Sequence, residues 1–111
     1  MELIGHIEAG DGHPPIDKDR WVDLVQSHPS LRPVPPVLGI NPFTRMPCEF
    51  IAPTSTAKVI ERGLDCGMIF WAEDESACLV VEANDSERES VVAIACGIAQ
   101  QLGGRLVSLP I

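Results

Sequence analysis

Seven prolines fall between residues 29 and 53, at Pro29, Pro33, Pro35, Pro36, Pro42, Pro47 and Pro53. Each removes a backbone donor, fixes its own φ, and pushes the preceding residue out of the helical region. No helix of useful length fits there. The 111-residue chain must therefore build its regular structure on either side and cross this stretch as an extended connector. Within it, Val37-Leu38-Gly39-Ile40 and Cys48-Glu49-Phe50-Ile51 have room for short strands. Asn41-Pro42-Phe43-Thr44 supplies the turn between them, since Asn suits the first turn position and Pro presets the second. A proline-bearing hairpin is expected at a sheet edge, where a missing donor costs nothing.

Upstream of the prolines, Glu2 to Glu8 is apolar-rich and stops at Gly10-Asp11-Gly12, as an opening strand closed by a flexible turn would. A helix is expected next. Asp17 can cap its free N–H groups, and Ile16 stands at the right offset to pack on Trp21 as a hydrophobic staple. Trp21, Leu24, Val25 and His28 then recur at helical spacing until Pro29 forbids continuation. At that C-terminus a protonated His28 would meet the helix dipole favourably.

Downstream, strand signals at Ala57 to Glu61, Cys66 to Glu73 and Ala77 to Ala83 are separated by turns at Arg62-Gly63-Leu64-Asp65 and Asp74-Glu75-Ser76, which reads as an antiparallel meander. In Gly67-Met68-Ile69-Phe70-Trp71-Ala72 both alternating faces are apolar, so this strand is either covered on two sides or offers one face as an interface. Trp71 is assigned to the core. Ser86-Glu87-Arg88-Glu89 fits a capping box opening a second helix. Its buried stripe is Val91, Ile94, Ala95, Ile98, Ala99 and Leu102. Gly103-Gly104 ends it, and Arg105 to Leu109 makes a last strand. The expected order is β-α-β-β-β-β-β-α-β: a single α+β domain over residues 1–111, with a mostly antiparallel sheet and two helices packed chiefly on one face. A chain of this length can bury roughly 65% of its unfolded surface, enough to fold without metal or disulfide staples.

Charge narrows the partners. Asp and Glu number 16 against 8 Lys and Arg, a net charge of −8. The basic residues stand singly at Lys18, Arg20, Arg32, Arg45, Lys58, Arg62, Arg88 and Arg105. Neutralising phosphates takes clustered cations, so nucleic acid and anionic membrane surfaces are excluded as partners, whereas a basic protein would be attracted. No apolar run approaches the roughly 20 residues that span a bilayer, and the amino-terminal segment lacks the basic start of a signal peptide. A cytoplasmic location is expected. There Cys48, Cys66, Cys78 and Cys96 should stay reduced, and their apolar neighbours mark them as small buried hydrophobes; none is spaced C-x-x-C as a zinc or redox site would be.

Catalytic signatures are absent: no G-x-S-x-G, H-E-x-x-H, P-loop or G-x-G-x-x-G occurs, and no cofactor is implied. His6 lies within a strand and His13 in a Gly-Pro loop, neither beside an evident partner. Both expected helices begin among carboxylates, which repel anionic ligands. Glu73-Asp74-Glu75 is the densest charge cluster, on a hairpin tip, where it either protects against aggregation or meets Lys and Arg of a partner. Phe43 is an aromatic on a turn, with Arg45 beside it. Phe43, Arg45, Glu73, Asp74 and Glu75 are thus the candidate contact residues of a small acidic, non-enzymatic protein-binding domain, whose concrete form is an inhibitor or immunity-type protein neutralising a basic partner. Two other readings compete with it: a small enzyme or small-molecule binder using His6, Cys66 or Cys78 in a pocket between sheet and helices, and an accessory or homodimeric subunit.

Overall fold

A computed structural model describes residues 2–35, 37–50, 55–72 and 78–108. It is an α+β fold built on one six-stranded sheet, with a separate two-stranded hairpin. Along the chain come β1 (Glu2–Ala9), α1 (Lys18–Ser27), β2 (Leu31–Pro33), β3 (Val37–Ile40), β4 (Pro47–Phe50), β5 (Thr56–Glu61), β6 (Leu64–Trp71), β7 (Leu79–Ala83), a 3-10 turn (Asp85–Glu87), α2 (Arg88–Gln101) and β8 (Gly104–Ser108). The sheet runs β2-β5-β6-β7-β1-β8, and every neighbouring pair in it is antiparallel.

Helix α1 starts as its sequence dictates. The Asp17 carboxylate accepts the Asp19 N–H at 2.9 Å, and Ile16 and Trp21 are both buried in the single core cluster. Trp21 is fully buried, and its indole N–H donates to the Ser55 carbonyl at 2.8 Å, so the largest core side chain leaves no orphan polar atom. Helix α2 contributes Val91, Ala95, Ile98 and Ala99, and the chain just beyond it adds Leu102. It departs from expectation at its start. Ser86 makes no capping box: residues 85–87 form a 3-10 turn, and α2 begins at Arg88 behind Glu87 with no side-chain cap. Asn84, at the head of that turn, instead ties the turn to β6. Its side-chain amide donates to the Asp65 carbonyl at 3.0 Å, and its backbone N–H to the Cys66 carbonyl at 3.0 Å.

The face of the sheet that meets the helices is set by cross-strand registers such as Ala57, Ile69, Val81 and Gly5 in one row, and Trp71, Leu79, Ile7 and Leu106 in the next. Directly paired residues share a face. Two β-bulges modify the alternation. Ile4 is the extra residue between Leu3 and Gly5, and Cys66 the extra residue between Asp65 and Gly67. Each bulge turns a side chain into the core where strict alternation would not, so Ile4 and Cys66 are both buried. The bulged strands flank β7 and share one burial pattern over ELIGHIEA and LDCGMIFW. At both bulges the following glycine lies against a neighbouring strand. A Cβ on Gly5 would stand 2.4 Å from the Val107 carbonyl oxygen, and one on Gly67 2.3 Å from that of Glu82. Between β5 and β6, Arg62 (φ 53°) and Gly63 (φ 78°) form the doubly left-handed two-residue turn that matches strand twist.

Three expectations are corrected here. An additional short strand, β2, occupies one sheet edge; three residues among prolines are too few to show a strand period. The hairpin β3–β4 does not join that edge; among the described residues it pairs only with itself. His28 is not a protonated helix terminator: its Nδ1 accepts the Ser30 N–H at 3.0 Å, and partial burial holds its pKa below the usual 6.5. Trp71, in contrast, is on the helix-facing side and packs against the core, with the Lys18 ammonium 6.0 Å from its ring centre.

Candidate functional site

The β3–β4 hairpin is built by its loop. Asn41 Oδ1 accepts the N–H of Phe43 at 2.8 Å and of Thr44 at 3.3 Å. The Arg45 N–H donates to the Asn41 carbonyl at 2.7 Å, and the Asn41 N–H to the Met46 carbonyl at 2.9 Å. Arg45 adopts φ 58°, a left-handed conformation that costs a non-glycine residue about 1 to 2 kcal/mol. Pro47 enters the second strand at its first residue, opposite Ile40, where a missing N–H is tolerated. A short six-residue loop thus carries its own hydrogen bonds and turns its apolar side chains outward.

The consequence is exposure. Leu38 is 83% exposed, Ile40 68%, Phe43 94% and Met46 65%. Leu38 and Ile40 share one side of the hairpin, two residues apart on β3. Among the described residues the hairpin makes no extensive contact with any other element, and they span 50 × 31 × 29 Å. Burying such side chains fully is worth about 1.5 to 3 kcal/mol each, so this arm leaves roughly 6 to 12 kcal/mol of hydrophobic stabilisation unrealised. Phe43 and Arg45, singled out from sequence, are both here. Leu38, Ile40 and Met46 were missed as contact residues because a strand on a sheet edge would have covered one side of them.

A second open surface lies on the sheet face away from the helices. Two rows cross it: Arg32, Lys58, Met68, Glu82 and Leu3, then Thr56, Phe70, Val80, His6 and Val107. The Arg105 guanidinium donates to Glu8 at 3.0 and 3.2 Å, and His6 Nε2 lies 3.3 Å from the other Glu8 oxygen. Those hydrogen bonds, Arg105 first, hold the Glu8 carboxyl below the ordinary carboxylate range. Lys58 pairs with Asp65 at 3.4 Å. Glu82 is half-buried between Met68 and Leu3, and among the described residues no cation lies within salt-bridge distance of it.

The residues assigned to a pocket between sheet and helices do not form one. His6 points to the open face with Glu8. Cys66 is inside the core, where burial pushes its thiol pKa up. Its sulfur is 3.9 Å from Glu87, and a buried, protonated thiol is a poor nucleophile. Cys78 is half-buried. Cys96 is exposed on α2, and Cys48 is half-buried in the hairpin, so burial holds fully for Cys66 alone among the four. Among the described residues no group of three or more His, Cys, Asp or Glu converges to hold a metal, and no helix is long and apolar enough to cross a membrane. Glu73, Asp74 and Glu75 lie outside the described residues.

One hollow, of about 410 Å³, is lined by His13, Pro14, Pro15, Asp17, Arg20, Leu102 and Gly103. Its volume suits a small ligand, but two of its polar groups are already engaged: Arg20 donates to the Gln101 carbonyl at 2.7 Å, and Asp17 caps α1. Compared with known proteins, the chain matches no family model, no curated protein and no solved structure.

Proposed function

We propose that this chain is a non-enzymatic protein-binding domain whose contact element is the β3–β4 hairpin. The observation that carries the reading is Phe43, an aromatic 94% exposed at the end of a hydrogen-bonded loop. Aromatic anchors displayed on a pre-organised element lose little entropy when a partner covers them. The acidic body is the second contribution. A net charge of −8 accelerates encounter with a basic surface, after which the hairpin supplies the short-range anchor. An inhibitor or immunity-type role toward a basic protein is the most concrete form of this reading that the charge supports. The titratable pairs His6–Glu8 and Cys66–Glu87 lie on opposite sides of the sheet, one on the open face, where Arg105 also engages Glu8, and one in the core, so the two pairs do not share a pocket.

The test places a photo-crosslinking amino acid at Phe43, and separately at Arg62, an exposed turn residue outside the hairpin, in cells that express the chain. Adducts are expected from position 43 and not from 62. Absence of adducts from both positions, with Phe43→Asp leaving every retained protein still bound, overturns the proposal.

A further inference from the structure

We infer that the hairpin of one copy docks on the open sheet face of a second copy, with Arg45 meeting Glu82, to give a reciprocal two-fold dimer. This names the partner of the hairpin and rests on its reading as the contact element. Both halves of the contact are on one chain. The arm exposes Leu38, Ile40, Phe43 and Met46. The face exposes the edges of Leu3, Met68, Phe70, Val80 and Val107, and both helices lie behind the sheet.

Local charge is compatible with this occupant. The arm, residues 37–50, carries Arg45 against Glu49, a net of zero, so the other residues carry the whole −8. The arm is therefore a segment that the acidic body of another copy does not repel. On the open face Glu8 has Arg105 and Asp65 has Lys58, which leaves Glu82 as the half-buried acid of that face with no cation at salt-bridge distance among the described residues. Arg45, held at the hairpin tip by a left-handed backbone, likewise has no acid within reach among the described residues. A two-fold exchange also repeats every contact, which is how isologous interfaces close. It sets two arms of anchors against one association cost.

Sedimentation equilibrium of the purified chain across a concentration series tests the assignment. A dimer of two 12.0 kDa chains is expected, reverting to monomer on dilution. Arg45→Glu and Glu82→Arg should each raise the dissociation constant at least about tenfold, the effect of removing and reversing a partly desolvated charge pair. Mixing the two single variants should return it to within about threefold of the parent, because each arm then faces a complementary face. An arm folded on its own body cannot show rescue by mixing, and face-to-face stacking would leave Arg45→Glu without effect. Phe43→Asp, at a fully exposed position, must also weaken the dimer, and circular dichroism must be unchanged for all variants. A chain that stays monomeric at every concentration, or variants that fail to rescue one another, overturns the dimer. If position 43 still crosslinks a different protein in cells, the hairpin remains the contact element and only the second-copy assignment falls; if it crosslinks nothing, both fall.

Discussion

Replacing Gly67 with alanine tests how tightly the bulged strands are seated. The added methyl would lie 2.3 Å from the Glu82 carbonyl oxygen, 3.1 Å from the Ala83 Cα and 3.2 Å from the Glu82 carbonyl carbon. All three are backbone atoms of β7, so no side chain can swing away. Restoring a tolerable 3.0 Å separation requires β6 and β7 to part by about 0.7 Å, the difference from the 2.3 Å contact. Ladder hydrogen bonds near 2.9 Å would stretch to about 3.6 Å, past the useful range. Losing one or two of them costs about 0.5 to 1.5 kcal/mol each, and the overpacked core beside Cys66 and Ala83 adds about 1 to 3 kcal/mol. The sum, about 1.5 to 6 kcal/mol, is a large share of the roughly 5 to 15 kcal/mol that holds a small domain folded. Urea unfolding followed by Trp fluorescence reads it as a lowered midpoint at constant slope. Gly97 is the control: it lies within α2, and a Cβ there meets nothing within 4 Å. Gly97→Ala should stabilise by about 0.5 to 1 kcal/mol, since glycine is a poor helix former. Equal effects at the two positions, or a Gly67→Ala midpoint matching the parent, would refute the reasoning.

Capping distinguishes the two helices: Asp17→Ala should cost about 1 kcal/mol, while Ser86→Ala should stay within about 0.5 kcal/mol, the range of an ordinary surface change, both read by the same denaturation. For His28 the folded pKa lies below the unfolded value near 6.5 because burial disfavours the charged ring. The unfolded chain thus binds the proton more readily, and this contribution to stability is fully present above pH 6.5 and lost as pH falls toward the folded pKa; NMR titration of the ring should show the depressed value, and a midpoint at or above 6.5 contradicts it. Thiol labelling of the native chain should modify exposed Cys96 quickly and Cys66 only on unfolding, and rapid labelling of Cys66 would mean the bulge does not seat it in the core.

Legibility followed locality. Asp17, Ile16 and Trp21 were readable because capping and stapling act within five residues, and Arg62-Gly63 and Asn41-Pro42 because a turn is set by its own backbone angles. Ser86 misled for a tertiary reason: the pattern fits a capping box, but anchoring Asn84 to β6 tightens the next residues into a 3-10 turn and moves the helix start to Arg88. His6 falls on the open face because the bulge at Ile4 shifts the facing of β1 by one residue, which puts Ile4 and Ile7 together on the core side; a bulge has no signal in the local sequence. Strand order carries no local signal at all. The candidate site was half visible: Phe43 and Arg45 lie on a recognisable turn, whereas the exposure of Leu38 and Ile40 depends on where β2 and β8 take the sheet edges.

The placement of β1 between β7 and β8 sets an order of events in the growing chain. The β5–β6 pair closes across a two-residue turn and can zip up as soon as it is made. Strand β1 waits: Ile7 meets Leu79, and His6 meets Val107, so it completes its hydrogen bonds only after the much later β7 and β8 have been made. Closing loops of such length is entropically slow. Through that interval ELIGHIEA stands as an unpaired, half-apolar strand, the kind of segment that seeds intermolecular pairing. Its polar members Glu2, His6 and Glu8 then act as gatekeepers in the nascent chain before they have any role in the folded one.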